Sequence, residues 1–126
     1  MSENPQQFQN QAFLNLETFR KNGSGVKTPV WFVEDQERFY VRTVADSWKV
    51  KRMRKNPQVR VVPCKVQGEP LGEWVPARAR LIDDKDQEKE INRLFNRKYG
   101  LQKRMFDLLG KLRRDAMATL EFELEK

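Results

Sequence analysis

From Phe13 onward, short runs of alternating apolar and polar residues are separated by clusters of turn residues, a period of two that predicts strands. The first runs from Leu14 to Arg20 and ends at Asn22-Gly-Ser-Gly25, whose glycines supply the positive φ angles of a hairpin. Val26 to Val33 is rich in β-branched and aromatic residues, and the polar Glu34-Asp-Gln-Glu37 follows it. In Arg38 to Val44, Phe39, Val41 and Thr43 fall on one face and Tyr40, Arg42 and Val44 on the other. Two successive hairpins make an antiparallel meander. The alternation stops at Ser47 to Asn56, where Asp46 or Ser47 can N-cap a short helix, Val50 and Met53 share a face, and Asn56-Pro57 ends it. Val59 to Val66 and Trp74 to Ile82 return to strand character around the loop Gln67-Gly-Glu-Pro-Leu-Gly72. In the second of these, Val75, Ala77, Ala79 and Leu81 oppose Trp74, Arg78 and Arg80.

Asp83-Asp84 then caps a helix, with Gln87 as the capping-box partner of Asp84 and Ile91, Leu94 and Phe95 at helical spacing. Past Gly100, Leu101, Met105, Leu108, Leu109 and Leu112 form a second apolar stripe. The chain closes with Ala118, Leu120, Phe122 and Leu124 alternating against Thr119, Glu121 and Glu123. The pattern predicts a mainly β fold of six antiparallel strands, with a short helix after the third and two helices before the last. Closing or nearly closing such a sheet into a barrel removes most unpaired edges. Residues 1–12, polar and Gln/Asn-rich, read as an arm, either free or docked as a short helix, and 13–126 as one domain.

The length of 126 residues supports one domain with a small core, of a size that often completes its burial by oligomerising. With 25 Lys+Arg against 18 Asp+Glu, the net charge of +7 points to an anionic partner: nucleic acid, a membrane surface or a phosphorylated small molecule. The chain has no histidine, which excludes Ser-His-Asp and Cys-His nucleophiles and His-ligated zinc or haem. Its one cysteine, Cys64, excludes an internal disulfide and a Cys-rich zinc site, so no metal is expected. No run approaches the roughly 20 apolar residues of a membrane span, and the N-terminus lacks the pattern of a signal peptide. A cytoplasmic protein in a reducing compartment is expected.

Two segments carry candidate chemistry. In Lys49-Val-Lys-Arg-Met-Arg-Lys55, five cations surround two apolar anchors. Such a run is often only a solvated helix face, but Ser47 places a hydroxyl at the helix start, where free N–H groups favour phosphate, and Lys49 adds a charge in the first turn. In Lys27-Thr-Pro-Val-Trp-Phe32, Pro29 cannot donate to a ladder and so marks an edge or a bulge. Backbone groups beside it are then open to something flat and polar, and Val30 and Trp31 are placed to wall an apolar cavity. Trp74 reads as packing at a core or an interface, or as a ligand stack.

Taken together, Asn22-Gly-Ser-Gly-Val-Lys-Thr-Pro-Val-Trp-Phe32, Tyr40-Val-Arg-Thr43, Asp46-Ser-Trp-Lys49 and Arg54-Lys-Asn-Pro57 resemble the signature of the pyridoxamine-phosphate-oxidase-like split barrels. The order and spacing, with Tyr99-Gly-Leu-Gln-Lys-Arg104 and the final strand, resemble their branch of flavin- or deazaflavin-dependent oxidoreductases. The resemblance implies a six-stranded split β-barrel that binds FMN or the deazaflavin coenzyme F-420 and passes a hydride to a small unsaturated acceptor. It implies a cofactor phosphate near Ser47 and Lys49, with Thr43 at a strand end and Trp48 close by. Thr28, Pro29 and Val30 would offer backbone contacts to the tricyclic ring, with Trp31 beside them. Lys27 is left open between phosphate contact and polarising the ring. The resemblance further implies a homodimer with cofactor sites at the interface, where Trp74 would arrive from the opposite subunit. The oxidase's C-terminal Arg and His segment is missing, so pyridoxal phosphate synthesis is not implied.

Two other readings compete. One keeps the fold but makes the protein a non-catalytic FMN carrier or sensor, since fold alone does not secure an activity. The other is a basic β-barrel that binds nucleic acid. The aromatics sit beside apolar neighbours rather than in a basic stripe, which argues against it.

Overall fold

Turn chemistry sets the hairpins. Gly23, at φ 90°, bends the chain so that its N–H donates to Arg20 O at 2.9 Å, while Arg20 N–H donates to Ser24 O at 2.8 Å. This joins β1 (Phe13–Phe19) to β2 (Gly25–Trp31). The remaining strands of the computed structural model are β3 (Val33–Asp35), β4 (Arg38–Val44), β5 (Gln58–Cys64), β6 (Val75–Ile82) and β7 (Met117–Leu124). The structure describes residues 5–100 and 117–125. All strand pairs are antiparallel, in the order β2-β1-β5-β6-β7-β4-β3.

The expected six strands are therefore seven, because the run Val26 to Val33 breaks at Phe32. The residues before the break pair with β1, and those after it pair with β4, at opposite edges of the sheet. Alternation alone does not register that switch of partner. The sheet is also not closed: β2 lies against β4 with no ladder between them, leaving a split along one side. Among the described residues β3 pairs only with Arg38–Tyr40, so the rest of that edge of β4, opposite its ladder with β7, faces the split unpaired.

Strand alternation otherwise sorts the faces as expected. Leu14, Leu16, Phe39, Val41, Val59, Val61, Leu120 and Phe122 fill the interior. The short helix α1 (Trp48–Lys55) caps one end of it with Val50 and Met53. At the other end the 3-10 turn Pro5–Phe8 inserts Phe8, whose ring lies 4.6 Å from Phe39 and 6.0 Å from Phe32, centroid to centroid. The helix α2 (Lys85–Tyr99) packs on the outside, where Ile91, Phe95 and Tyr99 cover Val33, Tyr40 and Ile82. Asp84 caps it by accepting from Asp86 N and Gln87 N, and Gly100 ends it. The second helix expected over Leu101 to Leu112 lies outside the described residues.

The hairpin between β3 and β4 turns on Gln36 and Glu37, at φ 52° and 68°, in the left-handed region that costs a side-chain-bearing residue free energy. Glu37→Gly should therefore raise stability by about 1 kcal/mol, read as a higher midpoint in urea with an unchanged slope. An equal or lower midpoint would count against a strained turn.

Candidate functional site

The first turn of α1 leaves polar groups unsatisfied among the described residues. Ser47 occupies the N-cap with extended backbone angles, but its side chain makes no capping hydrogen bond. Its Oγ is buried and has no hydrogen-bond partner among the described residues. A buried hydroxyl in that condition costs about 1–3 kcal/mol until something bonds to it. Lys49, two residues on, is half-buried, and burial beside the Arg52 guanidinium pushes its ammonium below the usual lysine range. No carboxylate pairs with it among the described residues. Arg52 donates from Nε to Thr18 Oγ1 at 2.7 Å, which fixes α1 to β1, and Arg20 adds a further positive charge nearby. Trp48 stands out into solvent, 72% exposed, with the Lys51 ammonium 4.7 Å from its ring centroid.

Thr43 sits on the inward face of β4 near the same end, buried at 7% exposure. Along the split, β2 offers its free edge. Pro29 sits on that edge strand, as its missing N–H requires. Thr28 pairs with Leu16 and Val30 with Leu14, so both share the inward face. Val30 packs against the interior, whereas Trp31 turns to the outer cluster under α2, so the two do not wall one cavity. Trp31 instead stacks on Tyr99, with centroids 4.4 Å apart and planes within 10°.

Lys27 faces outward with Glu17, its cross-strand partner. Its ammonium lies 5.3 Å from the Trp74 ring, and the Arg60 guanidinium lies 5.2 Å from the same ring. Arg60 also donates from Nε to the buried Glu17 carboxylate at 2.6 Å. The loop that carries Trp74 is held by the N-terminal turn, since Glu73 N and O bond the Gln7 amide, each at 2.9 Å. The sequence-derived residues thus fall into four places: Ser47, Trp48, Lys49 and Thr43 at the α1 end, Thr28 to Val30 along the split, Trp31 under α2, and Lys27 with Trp74 on the outer face. A hollow of about 240 Å³ between α1 and β6–β7, lined by Met53, Arg54, Ala79, Arg80, Leu81 and Leu120, includes none of them.

Sequence reasoning missed the last turn of α2. Tyr99 Oη accepts from Phe32 N at 3.0 Å and lies 2.8 Å from both Phe32 O and Ala12 O. Lys98 Nζ donates to Phe32 O at 2.8 Å and sits 3.7 Å from the Phe32 ring centroid. Two signals touched it: the Ile91–Phe95 spacing continues to Tyr99, and Tyr99 opens the segment to Arg104 that carries part of the resemblance, but neither shows where the hydroxyl goes.

An antiparallel sheet split along one side, one helix at its end and another on its outer face, is the architecture this protein shares with solved structures. The haem storage protein HutZ from Vibrio cholerae superposes with a TM-score of 0.74 at 18% identity, covering 96% of this chain and 87% of that one. A pyridoxinephosphate oxidase family protein from Clostridium acetobutylicum, related to general stress protein 26, gives 0.68 at 13% identity over 95% and 80%. An FAD-binding protein from Mesorhizobium loti gives 0.65 at 14% over 96% and 84%. At these identities the likeness establishes the fold alone. The chain belongs to the pyridoxamine 5'-phosphate oxidase family, whose model matches residues 1–123. No curated protein matches the sequence. Among the described residues no helix is long and apolar enough to cross a membrane, and no acidic or sulfur cluster suits a metal ion.

Burial holds the Lys98 ammonium down at about 8 against the opposing pull of Glu34, although the residue as a whole is exposed. An unfolded lysine titrates near 10.4. Between these values the unfolded chain binds more protons, so the Lys98 contribution to stability rises with pH. Tyr99, pushed up to about 12 by burial, stays protonated throughout. Wild type should therefore gain stability relative to Lys98→Met from about pH 8 to pH 10, by on the order of 1 kcal/mol after allowance for solvent screening. Urea titrations at several pH values measure this; a constant difference would refute it.

Proposed function

We propose that this protein is an oxidoreductase that holds a flavin-type cofactor, FMN or the deazaflavin coenzyme, for hydride transfer to a small unsaturated acceptor. The observation that carries the reading is the α1 end, where a buried Ser47 Oγ without a partner and an unpaired, half-buried Lys49 lie in one uncapped helical turn. A phosphate dianion suits all three features at once: it accepts from the hydroxyl and the first-turn N–H groups and neutralises the ammonium. Membership of the family and the FAD bound by the Mesorhizobium loti protein support a flavin as the group that carries this phosphate. Haem, named for the Vibrio cholerae protein, would find no histidine in this chain.

When bound, the cofactor supplies the hydride chemistry. The chain does the rest. Lys49 and Ser47 hold the phosphate, with Thr43 and Trp48 around them. The free edge of β2, from Thr28 to Val30, orients the ring, with Trp31 fixed beyond it under α2, while the packing of Val30 keeps water from that side. Lys27 and Trp74, already paired, belong to the outer wall, and a second copy of the chain would complete the site there. Lys51, Arg54 and Lys55 have no acidic partner among the described residues, which favours the deazaflavin coenzyme with its longer anionic tail over FMN.

Lys49→Ala should weaken both FMN and deazaflavin binding about tenfold to a hundredfold, the worth of a charge-assisted hydrogen bond, with the thermal midpoint unchanged or raised. Isothermal titration measures the first and calorimetric melting the second. Equal affinity in the variant removes the phosphate assignment. Reduced cofactor offered to quinones and other unsaturated acceptors separates enzyme from carrier: tight binding with no acceptor reduced supports the carrier.

A further inference from the structure

We infer that Tyr99, assisted by Lys98, is the positioning residue that sets where β2 stands across the split, and hence how tightly the site grips a planar cofactor. This rests on the reading of β2 as the wall along which the cofactor lies. Phe32 falls between two strands, so its buried peptide has no ladder to join and must find partners elsewhere. Tyr99 supplies them. Its oxygen accepts from Phe32 N and its one proton goes to Phe32 O or Ala12 O. Lys98 adds a second donor to Phe32 O. The same ring stacks on Trp31. One helical turn therefore ties down the residue before β1, the last residue of β2, and the corner leading to β3.

Among the described residues only β1 pairs with β2, so its other edge can swing about that single ladder unless something anchors its end. The anchor is on α2, which packs against β3 at the far edge. It thus connects the two edges that flank the split. A seven-residue strand is about 20 Å long, which puts Tyr99 far from the α1 end where β2 begins. Tyr99 therefore acts on binding through β2 rather than by touching the phosphate.

The test is Tyr99→Phe, which keeps the stack on Trp31 and removes the hydroxyl. Ile91→Val, which loosens α2 packing about two turns away from Tyr99, serves as the control. FMN and deazaflavin affinity should fall about fivefold or more in Tyr99→Phe and less than about twofold in Ile91→Val, and amide exchange at Phe32 should quicken about tenfold only in the former. Unchanged affinity in Tyr99→Phe, or an equal loss in the control, overturns the assignment. If Tyr99→Phe does not fold, Lys98→Met reads the same peptide, with a loss of about two- to fivefold expected and no loss overturning it. Failure of the unaltered protein to bind either cofactor would strike the cofactor reading itself, a result visible before any substitution. Phe32 exchange in the ligand-free proteins then decides the anchor alone, and identical rates would overturn it.

Discussion

A single residue joins the two edges of this sheet. β2 and β3 lie at opposite ends of the spatial order yet are separated in sequence by Phe32 alone. Two consecutive peptide links reach about 7 Å, so a seven-stranded sheet can satisfy that constraint only by curling until its margins nearly meet. Curling creates an inside and an outside. The inside holds the aliphatic and phenylalanine core, stoppered by Phe8 at one end and by Val50 and Met53 at the other. The outside leaves room for α2. β3 covers only the first part of β4, and no ladder among the described residues joins the rest of that edge to β2, which leaves an opening between the margins.

Charge is distributed unevenly on this frame. Glu121, buried in β7, is met by Arg38 at 3.3 Å, Arg80 at 3.1 Å and the Tyr40 hydroxyl at 3.1 Å. Glu17 is met by Arg60. These acids sit opposite cations or donors on neighbouring strands, and the register fixes their partners. Carboxylates are thus drawn to the outer face of the sheet. The five cations from Lys49 to Lys55 are left with none among the described residues, so the excess positive charge gathers where Ser47 lacks a partner.

Much of the fold was legible in the sequence because period-two alternation reports which face each residue occupies. Phe39, Val41, Leu120 and Phe122 point inward as their spacing requires, and Val50 and Met53 do so on α1. The break at Phe32 was not legible, since apolar residues on both sides serve two different clusters and look continuous in one dimension. For the same reason Val30 and Trp31 appeared to share a wall. At the candidate site, the residue types at Ser47 and Lys49 suggested an anion. Whether the serine would spend its oxygen on its own helix depends on a rotamer, which sequence does not encode locally. The approach of Lys27 to Trp74, and of Tyr99 to Phe32, depends on long-range register.

The three indoles occupy three distinct surroundings, and this gives the protein a built-in optical readout. Trp48 is solvated, Trp74 has the charges of Lys27 and Arg60 at 5.3 and 5.2 Å from its ring centroid, and Trp31 stacks face to face on a phenol, so the three should emit differently. Intrinsic fluorescence can therefore separate events at the start of α1, on the outer face and at the sheet corner without any label being attached.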